Sequence, residues 1–449
     1  MRAAVARMQP EDSTYWFVRE AFGWSVVLQM VWRFERPPEP AALAAFNERL
    51  ASGVLNRRLI RPATPFARPH WVRSEDAPDL LIDDGPIGAD AVERWAGVEL
   101  DATPLDPETG PTWRLRTAEV DDGGAVLSLT TLHLVADGRA MVTAAAAALA
   151  DTAADPLAPR RPPVGAAALV ADATDALHQV TAAGVGVLRA ALSTVRNRSA
   201  TTEPMAIVPK AVVSKTEAHV RAPRARYSWT TVSVEATAWQ EAARAHGGTS
   251  NTLFIAVLAG ALRAARYVPP GAPLKVGIPV SRRGDGDERA NATAGVSVLL
   301  TDDPGMDLTA LRAQCKAAFT RLAEGHRAPH IHLLPLLSLL PTALVVRAAT
   351  AGSGMPDVVA SNLGEFAPEL ARVGTVSASA VAFRGIAQGV EPAEPYRFGD
   401  GVQSWCVQVG TVLTFSVVAF DEQHFPRPDD LRGVLARELT RWGVAHRMW

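Results

Sequence analysis

The sequence predicts an α/β protein of two lobes, each a mixed sheet covered by helices, facing one another across a cleft. Three observations predict it. Strand-like runs alternate with helical stretches in both halves, a polar segment without periodicity separates the halves, and 48% of the 449 residues are hydrophobic, enough for two cores. The division runs 1–195 for the first lobe, 196–224 for a linker and 225–449 for the second lobe. A cleft between two such lobes is the default ligand site.

In the first lobe, "WSVVLQMVWRF" from Trp24 is the first strand, and a helix from Pro40 to Ala51 follows "PPEP", where proline suits an opening turn. "WRLRTAEV" and "AVLSLTTLHLV" flank the turn "DDGG" and form a hairpin. "MVTAAAAALAD" is helical by propensity. The proline-rich "DPLAPRRPPVG" then breaks the chain before another alanine-rich helix that reaches about Val195. The polar "RNRSATTEP" opens the linker.

The second half repeats this grammar without repeating the letters. Strand "YSWTTVSV" leads to helices at Glu235 to His246 and at "NTLFIAVLAGALRAARY", then to strands "LKVGIPV" and "ATAGVSVLL" and a helix from Leu308 to Glu324. Strands follow at "DVVASNLG", "GTVSASAVAF", "SWCVQVG" and "TVLTFSVVAF", and a helix from Pro428 to Trp442 closes the chain. The very apolar "HLLPLLSLLPTALVV", His332 to Val346, carries two prolines and falls short of the ~20 residues of a membrane span, so it reads as a core helix or a channel wall.

A net charge of -2 with scattered basic residues gives no general attraction for nucleic acid. Cys315 and Cys406 stand far apart, which writes neither a disulfide framework nor a CxxC site and suits a reducing cytosol. The first residues have no apolar run before Glu11 and Asp12, so a secretory signal is not expected. No cluster has metal-ligand spacing.

"LTTLHLVADGRAM", Leu129 to Met141, carries the chemistry. Leu127, Leu129, Thr131 and His133 share one face of a strand by the two-residue period, and the imidazole is the last of them. A base at a strand end is placed to reach a cleft, and Asp137 and Gly138 follow at four and five residues. A hydrogen-bonded core histidine fits the same letters, and Asp137 before "GRAMVTAAAAALA" would serve as a helix cap with no other role. With 10 histidines in the chain, the spacing by itself does not decide between these readings.

"LHLVADG" resembles the HHxxxDG motif of the coenzyme A-dependent acyltransferase superfamily, which includes condensation domains, polyketide-associated acyltransferases and the bacterial wax ester synthase/diacylglycerol acyltransferases. Supporting stretches occur in the family's order. "NTLFIAVLAGALRAA" resembles the helix before the central strand, "VGIPVSRRGDGDERANATAGVSVLL" the "PVSxR…N…G" segment, and "VVASNLGEF" the late "SNxxG" strand. Leu132 stands where the motif has its first histidine; the family's catalytic histidine is the second, and chloramphenicol acetyltransferase and the plant BAHD enzymes keep only that one. The DFGWG motif of the plant relatives is absent.

The resemblance implies a chloramphenicol acetyltransferase-like fold with the active site between the lobes. His133 would be the general base, drawing a proton from an acceptor as it attacks a thioester carbonyl, a task suited to an imidazole of ordinary pKa ~6.5. Asp137 would be structural, with Arg283 as its charge partner, although by composition Arg283 is equally a solvated loop charge beside Asp285 and Asp287. Gly138 would avoid crowding the turn. Leu132, Ser361 and Asn362 are candidates to line the site, the last two also fitting an ordinary strand-to-loop exit.

The implied reaction is ester formation on a hydroxyl acceptor, with acyl-coenzyme A or acyl-phosphopantetheine as co-substrate, no bound cofactor and no metal. An amine acceptor and an amide product, as in a stand-alone condensation enzyme, is the second reading; an acyl-binding or carrier-protein-binding relative without catalysis is the third. Partners are therefore a thioester donor and an alcohol or amine acceptor, with an acyl carrier protein and peripheral membrane contact left open.

Overall fold

The computed structural model describes residues 5–153, 157, 164–199, 227–284, 286–301, 305–325, 356–390 and 401–449. The apolar stretch His332–Val346 and nearly all of the expected linker lie outside them. The first half contains α1 (Ser13–Phe22), β1 (Ser25–Phe34), α2 (Pro40–Ser52), β2 (Arg57–Ile60), β3 (His70–Arg73), β4 (Leu81–Ile82), α3 (Val92–Ala102), β5 (Trp113–Glu119), β6 (Ala125–Leu132), α4 (Gly138–Leu149) and α5 (Ala166–Ser199). The second contains β7 (Ser228–Glu235), α6 (Ala236–Ala245), α7 (Ser250–Ala264), β8 (Leu274–Ser281), β9 (Thr293–Leu300), α8 (Thr309–Ala323), β10 (Val358–Phe366), β11 (Arg372–Val373), β12 (Val376–Ser377), β13 (Ala380–Gln388), β14 (Val402–Val409), β15 (Val412–Ala419), α9 (Pro428–Arg441) and β16 (His446–Met448).

Two mixed sheets organise these elements. One has five strands in the order β13-β1-β6-β5-β4, the other seven in the order β16-β7-β15-β14-β10-β8-β9. All residues of β6 and β13 are buried because both faces of the first sheet are covered, and their polar members Ser128, Thr130, Thr131, Arg384 and Gln388 are hydrogen-bonded. The β5–β6 hairpin turns through Gly123 at φ 85°, a conformation open to glycine, and the Val120 amide donates to the Gly124 carbonyl.

Strand β13 departs from the division by chain position. It lies within 225–449, yet it pairs antiparallel with β1, from Ser25 opposite Gln388 to Arg33 opposite Ala380, and so forms the edge of the first sheet. Arg384, fully buried on this strand, is the rivet: it pairs with Glu93 of α3, donates to Thr231 of β7 at 2.7 Å and lies over the Trp229 ring. A buried cation on a strand of the first sheet, held by helix α3 and by β7 of the second sheet, ties the lobes together.

The remaining differences from the expected elements are local. "GTVSASAVAF" divides into β12 and β13, and β6 stops at Leu132 because Val135 closes a turn back onto the Leu132 carbonyl. Helices α1 and α3 and the short strands β2, β3, β4, β11 and β16 are not among the elements the sequence predicts. Helix α1 buries no residue completely, its aromatic side chains lying half-buried over the first lobe.

Candidate active site

His133 follows the last residue of β6, its amide donating to the Val26 carbonyl of β1 at 2.8 Å. The imidazole thus stands at the end of a rigid central strand, where the sheets approach each other. It borders a cavity of about 440 Å³ walled by α1, β1, the start of α4, and strands β8, β9, β10, β13 and β14. The walls are largely apolar, and Arg139 is the cavity's permanently charged residue among the described residues.

The two ring nitrogens are in different surroundings. Nδ1 lies 3.0 Å from Asn291 Oδ1. The Asn291 amide is oriented by its other end, since Nδ2 reaches three acceptors: Asp12 Oδ1 at 2.9 Å, the His133 carbonyl at 3.0 Å and the Leu134 carbonyl at 3.3 Å. Oδ1 must then face the imidazole, so Nδ1 carries the proton and donates it, and Nε2 is left as the acceptor nitrogen. Burial pushes the His133 pKa below its ordinary value, against the opposing pull of its backbone, Asp137 and Asn291. The ring is accordingly a neutral base near pH 7.

Tyr15 of α1 occupies the other side. Its ring stacks on the imidazole with centroids 3.9 Å apart, and its hydroxyl lies 3.0 Å from Nε2. Burial, helped by Asp137 and Asp12, raises the phenol pKa above its usual range, so the group is a neutral O–H donor to Nε2. Asp12, buried just before α1, accepts from the Gln9 amide at 2.8 Å and from Asn291. Burial raises its pKa to about 6, the Gln9 and Asn291 hydrogen bonds holding it from rising further. Asp12, Asn291, His133 and Tyr15 form one hydrogen-bonded chain.

Asp137 is the cap of α4, with Oδ1 accepting from the Ala140 amide at 2.8 Å. Its Oδ2 faces the other lobe, taking the Arg283 Nη2 donor at 3.0 Å, the Ala292 amide at 2.8 Å and the Thr293 hydroxyl at 3.3 Å. Arg283 also donates to the carbonyls of Asp287, Arg289 and Ala290, which pins the loop between β8 and β9. That loop delivers Asn291 to His133.

The sequence-derived candidates separate clearly. His133, Gly138, Ser361 and Asn362 border the one cavity, while Asp137 and Arg283 pair behind it. Leu132 does not line the site: it is 2% exposed and packs in the first lobe's core, because neighbouring residues at a strand end point to opposite sides. The need for Gly138 also has a different origin from turn crowding. A Cβ there would meet Leu363 Cδ2 at 2.5 Å and Phe383 at 3.3 Å, side chains that close in from β10 and β13. Asp12, Tyr15 and Arg139 were missed, and Asn291 was seen only as part of a quoted segment. No local signal links them to His133, since Tyr15 is 118 and Asn291 158 positions away.

Comparison with known proteins gives a consistent fold. No family model matches the chain. It is 28% identical over 363 residues, 69% of this chain and 67% of the relative, to a Mycobacterium tuberculosis protein named "Putative diacyglycerol O-acyltransferase Rv2484c", with the same match in a second strain. The wax ester synthase/diacylglycerol acyltransferase from Marinobacter aquaeolei VT8 superposes with a TM-score of 0.56 at 16% identity, covering 98% of this chain and all of that one. The starter condensation domain of rhizomide synthetase RzmA, as its R148A mutant in complex with C8-CoA, superposes with a TM-score of 0.54 at 16% identity, covering 98% and 95%.

Proposed function

We propose that this chain, whose fold is that of the wax ester synthase/diacylglycerol acyltransferases and condensation domains, is an O-acyltransferase that uses His133 as general base. The observation that carries the reading is the fixed tautomer: Nδ1–H is tied to Asn291, and Nε2 is presented to an apolar cavity with a hydroxyl, that of Tyr15, already on it. An acceptor alcohol bound in the place of that phenol has its proton on the base.

The acceptor oxygen attacks the carbonyl of an acyl thioester while its proton passes to His133 Nε2. The tetrahedral intermediate then expels the thiolate, which takes the proton back from the imidazolium. No covalent enzyme intermediate is needed. Developing oxyanion charge has Ser361, Asn362 and Arg139 on the same cavity wall as candidate stabilisers. The cavity lies within the range of ~300–1,000 Å³ usual for small-molecule sites, and its apolar walls suit the hydrocarbon part of an acyl chain.

The donor in this reading is acyl-coenzyme A or an acyl-phosphopantetheine carrier protein, and the RzmA domain of the same fold was solved with C8-CoA. The acceptor is an alcohol. The relative's name indicates diacylglycerol for that protein, which makes a lipid hydroxyl the first acceptor to test. Purified protein is offered short and long acyl-coenzyme A donors, then an acylated carrier protein, with alcohol and amine acceptors, and products are identified by mass. Ester from a thioester donor, lost in His133→Ala, is the expected result. Amide alone moves the chain to condensation chemistry, and donor binding without transfer to any acceptor leaves a binding protein.

A further inference from the structure

Helix α5 buries a polar face, Asp172, Asp175 and Gln179, and exposes an aliphatic stripe. At 100° per residue, Leu169, Val170, Ala173, Leu177, Val180, Gly184, Val187 and Leu188 fall within one 100° arc. The six large side chains of that arc are between 49% and 65% exposed. The opposite face carries Asp172, Asp175 and Gln179, all buried. Asp172 pairs with Arg7 at 2.5 Å and accepts from the Ala63 amide; Asp175 takes the Arg68 side chain at 2.7 Å and the Arg68 amide. A helix on a soluble body normally buries its apolar stripe. Here ion pairs pin the polar face to the first lobe, and an apolar strip about 30 Å long faces outward.

We infer that this outer face of α5 docks on an anionic lipid bilayer surface. Charge indicates the occupant. From Ala176 to Thr202 the sequence contains no carboxylate, and its only charges are Arg189, Arg196 and Arg198. Arg189 projects about 100° from the edge of the apolar arc, at the height where an arginine stem reaches lipid headgroups while the stripe enters the acyl boundary. The same stretch has no Trp, Tyr, Phe or Met, the anchors that a protein partner's pocket would select. Among the described residues no helix is long and apolar enough to cross a membrane, so the geometry is of a helix lying in the interface plane.

The inference goes beyond the acyl-transfer reading and is tested without it. Full-length protein is co-sedimented with vesicles of phosphatidylcholine, alone or mixed with phosphatidylglycerol, across a salt series, beside the double variant Leu177→Asp with Val180→Asp. The expected result is partitioning onto the mixed vesicles that weakens with salt, and a partition coefficient lower by about tenfold or more in the variant, since each aspartate must leave water or hold the stripe away. The variant should keep the parent's circular dichroism and melting temperature, because both positions are exposed. A dye on Leu177→Cys, beside the two buried native cysteines, should shift to the blue on the mixed vesicles.

Parent protein that stays in the supernatant at every lipid concentration overturns the inference. So does a variant that sediments like the parent. A parent that is dimeric by sedimentation velocity, becomes monomeric in the variant and ignores vesicles would instead make the face a contact between two copies. A chain that transfers no acyl group yet partitions through α5 leaves this inference standing and removes the other.

Discussion

Two residues four positions apart, His133 and Asp137, meet the same loop of the other lobe and are left in opposite states. Asp137 is saturated: its oxygens take the Ala140 amide on one side and Arg283, the Ala292 amide and Thr293 on the other. His133 is held unequally: Nδ1 is fixed on the buried Asn291, while Nε2 faces the cavity and accepts only the Tyr15 hydroxyl, which an acceptor can displace. A fully satisfied buried carboxylate holds position, whereas an imidazole with one fixed and one available nitrogen has chemistry left to do. The difference separates a strut from a base, although the two occur in a single motif.

The comparison breaks most sharply at the imidazole. His133→Ala should lower acyl transfer by roughly 10²–10⁴-fold while leaving the melting temperature close to the parent's, since no fully satisfied charge is disturbed. Steady-state kinetics beside thermal melting decide it. A folded His133→Ala variant with near-parental turnover would remove the base assignment outright.

At Asp137 the effect should appear first in stability. Asp137→Asn and Arg283→Ala each leave a buried partner charge uncompensated, and such losses cost about 3–5 kcal/mol. Because the β8–β9 loop also delivers Asn291, transfer should fall with stability instead of separately from it. Denaturant unfolding is the measurement, and two variants that unfold like the parent would show that the pair is not a strut. Leu132→His extends the same logic: its side chain is in the core and not at the cavity, so a buried imidazole should cost stability without adding activity.

What was readable in the sequence follows the same line. The motif and its segments carried His133, Asp137, Gly138 and Arg283 because each is fixed by local geometry or by an ordered resemblance. The strands were readable where burial on one or both faces wrote alternating or continuous apolar runs, as in β1, β6 and β15. Asp12 and Tyr15 were not, because α1 lies over the cleft with no fully buried residue and its partners come from 118 to 279 positions away. Strand β13 was found as a strand but not as part of the first sheet, since pairing partners are a tertiary choice that periodicity does not encode.

Asn291 offers a sharper cut, because it touches only the fixed side of the ring. Asn291→Leu removes the hydrogen bond that sets the tautomer and leaves the buried Nδ1–H unsatisfied, a loss of ~1–3 kcal/mol, so the rate should fall about 5–150-fold, toward the low end of the His133→Ala range. Its pH profile carries the signature. The parent's His133 pKa is already depressed, so the neutral base persists as pH falls through the ordinary ~6.5 and the rate drops only below it. The stability contribution of this group has the same sign: on acidification the unfolded chain binds the proton first, so stability is present above the unfolded value and lost below it. Asp12 has the opposite sign. Its native pKa of about 6 lies above its unfolded value of 3.8, so the native state protonates first and gains stability between them. Asn291 supports the charged form of both groups, so Asn291→Leu should move the acid limb of the rate lower still. A limb that moves up, or stays where it is, would mean that Asn291 does not act through the ring.

The smallest effect is expected on the open side. The Tyr15 hydroxyl sits at the lone pair where an acceptor hydroxyl must bind, so acceptor and phenol compete for Nε2. Tyr15→Phe keeps a ring to stack on the imidazole and deletes the competing donor. Acceptor KM should fall by about two- to tenfold, the equivalent of one exchanged hydrogen bond of ~0.5–1.5 kcal/mol, with kcat nearly unchanged. Tyr15→Ala removes the stacking as well, and its kcat should drop because the ring loses the neighbour 3.9 Å away. The two variants must therefore differ in kind, one improving acceptor capture and the other impairing turnover. If Tyr15→Phe instead loses kcat with KM unchanged, the phenol is carrying the proton between acceptor and Nε2, and the open side of the imidazole is part of a relay.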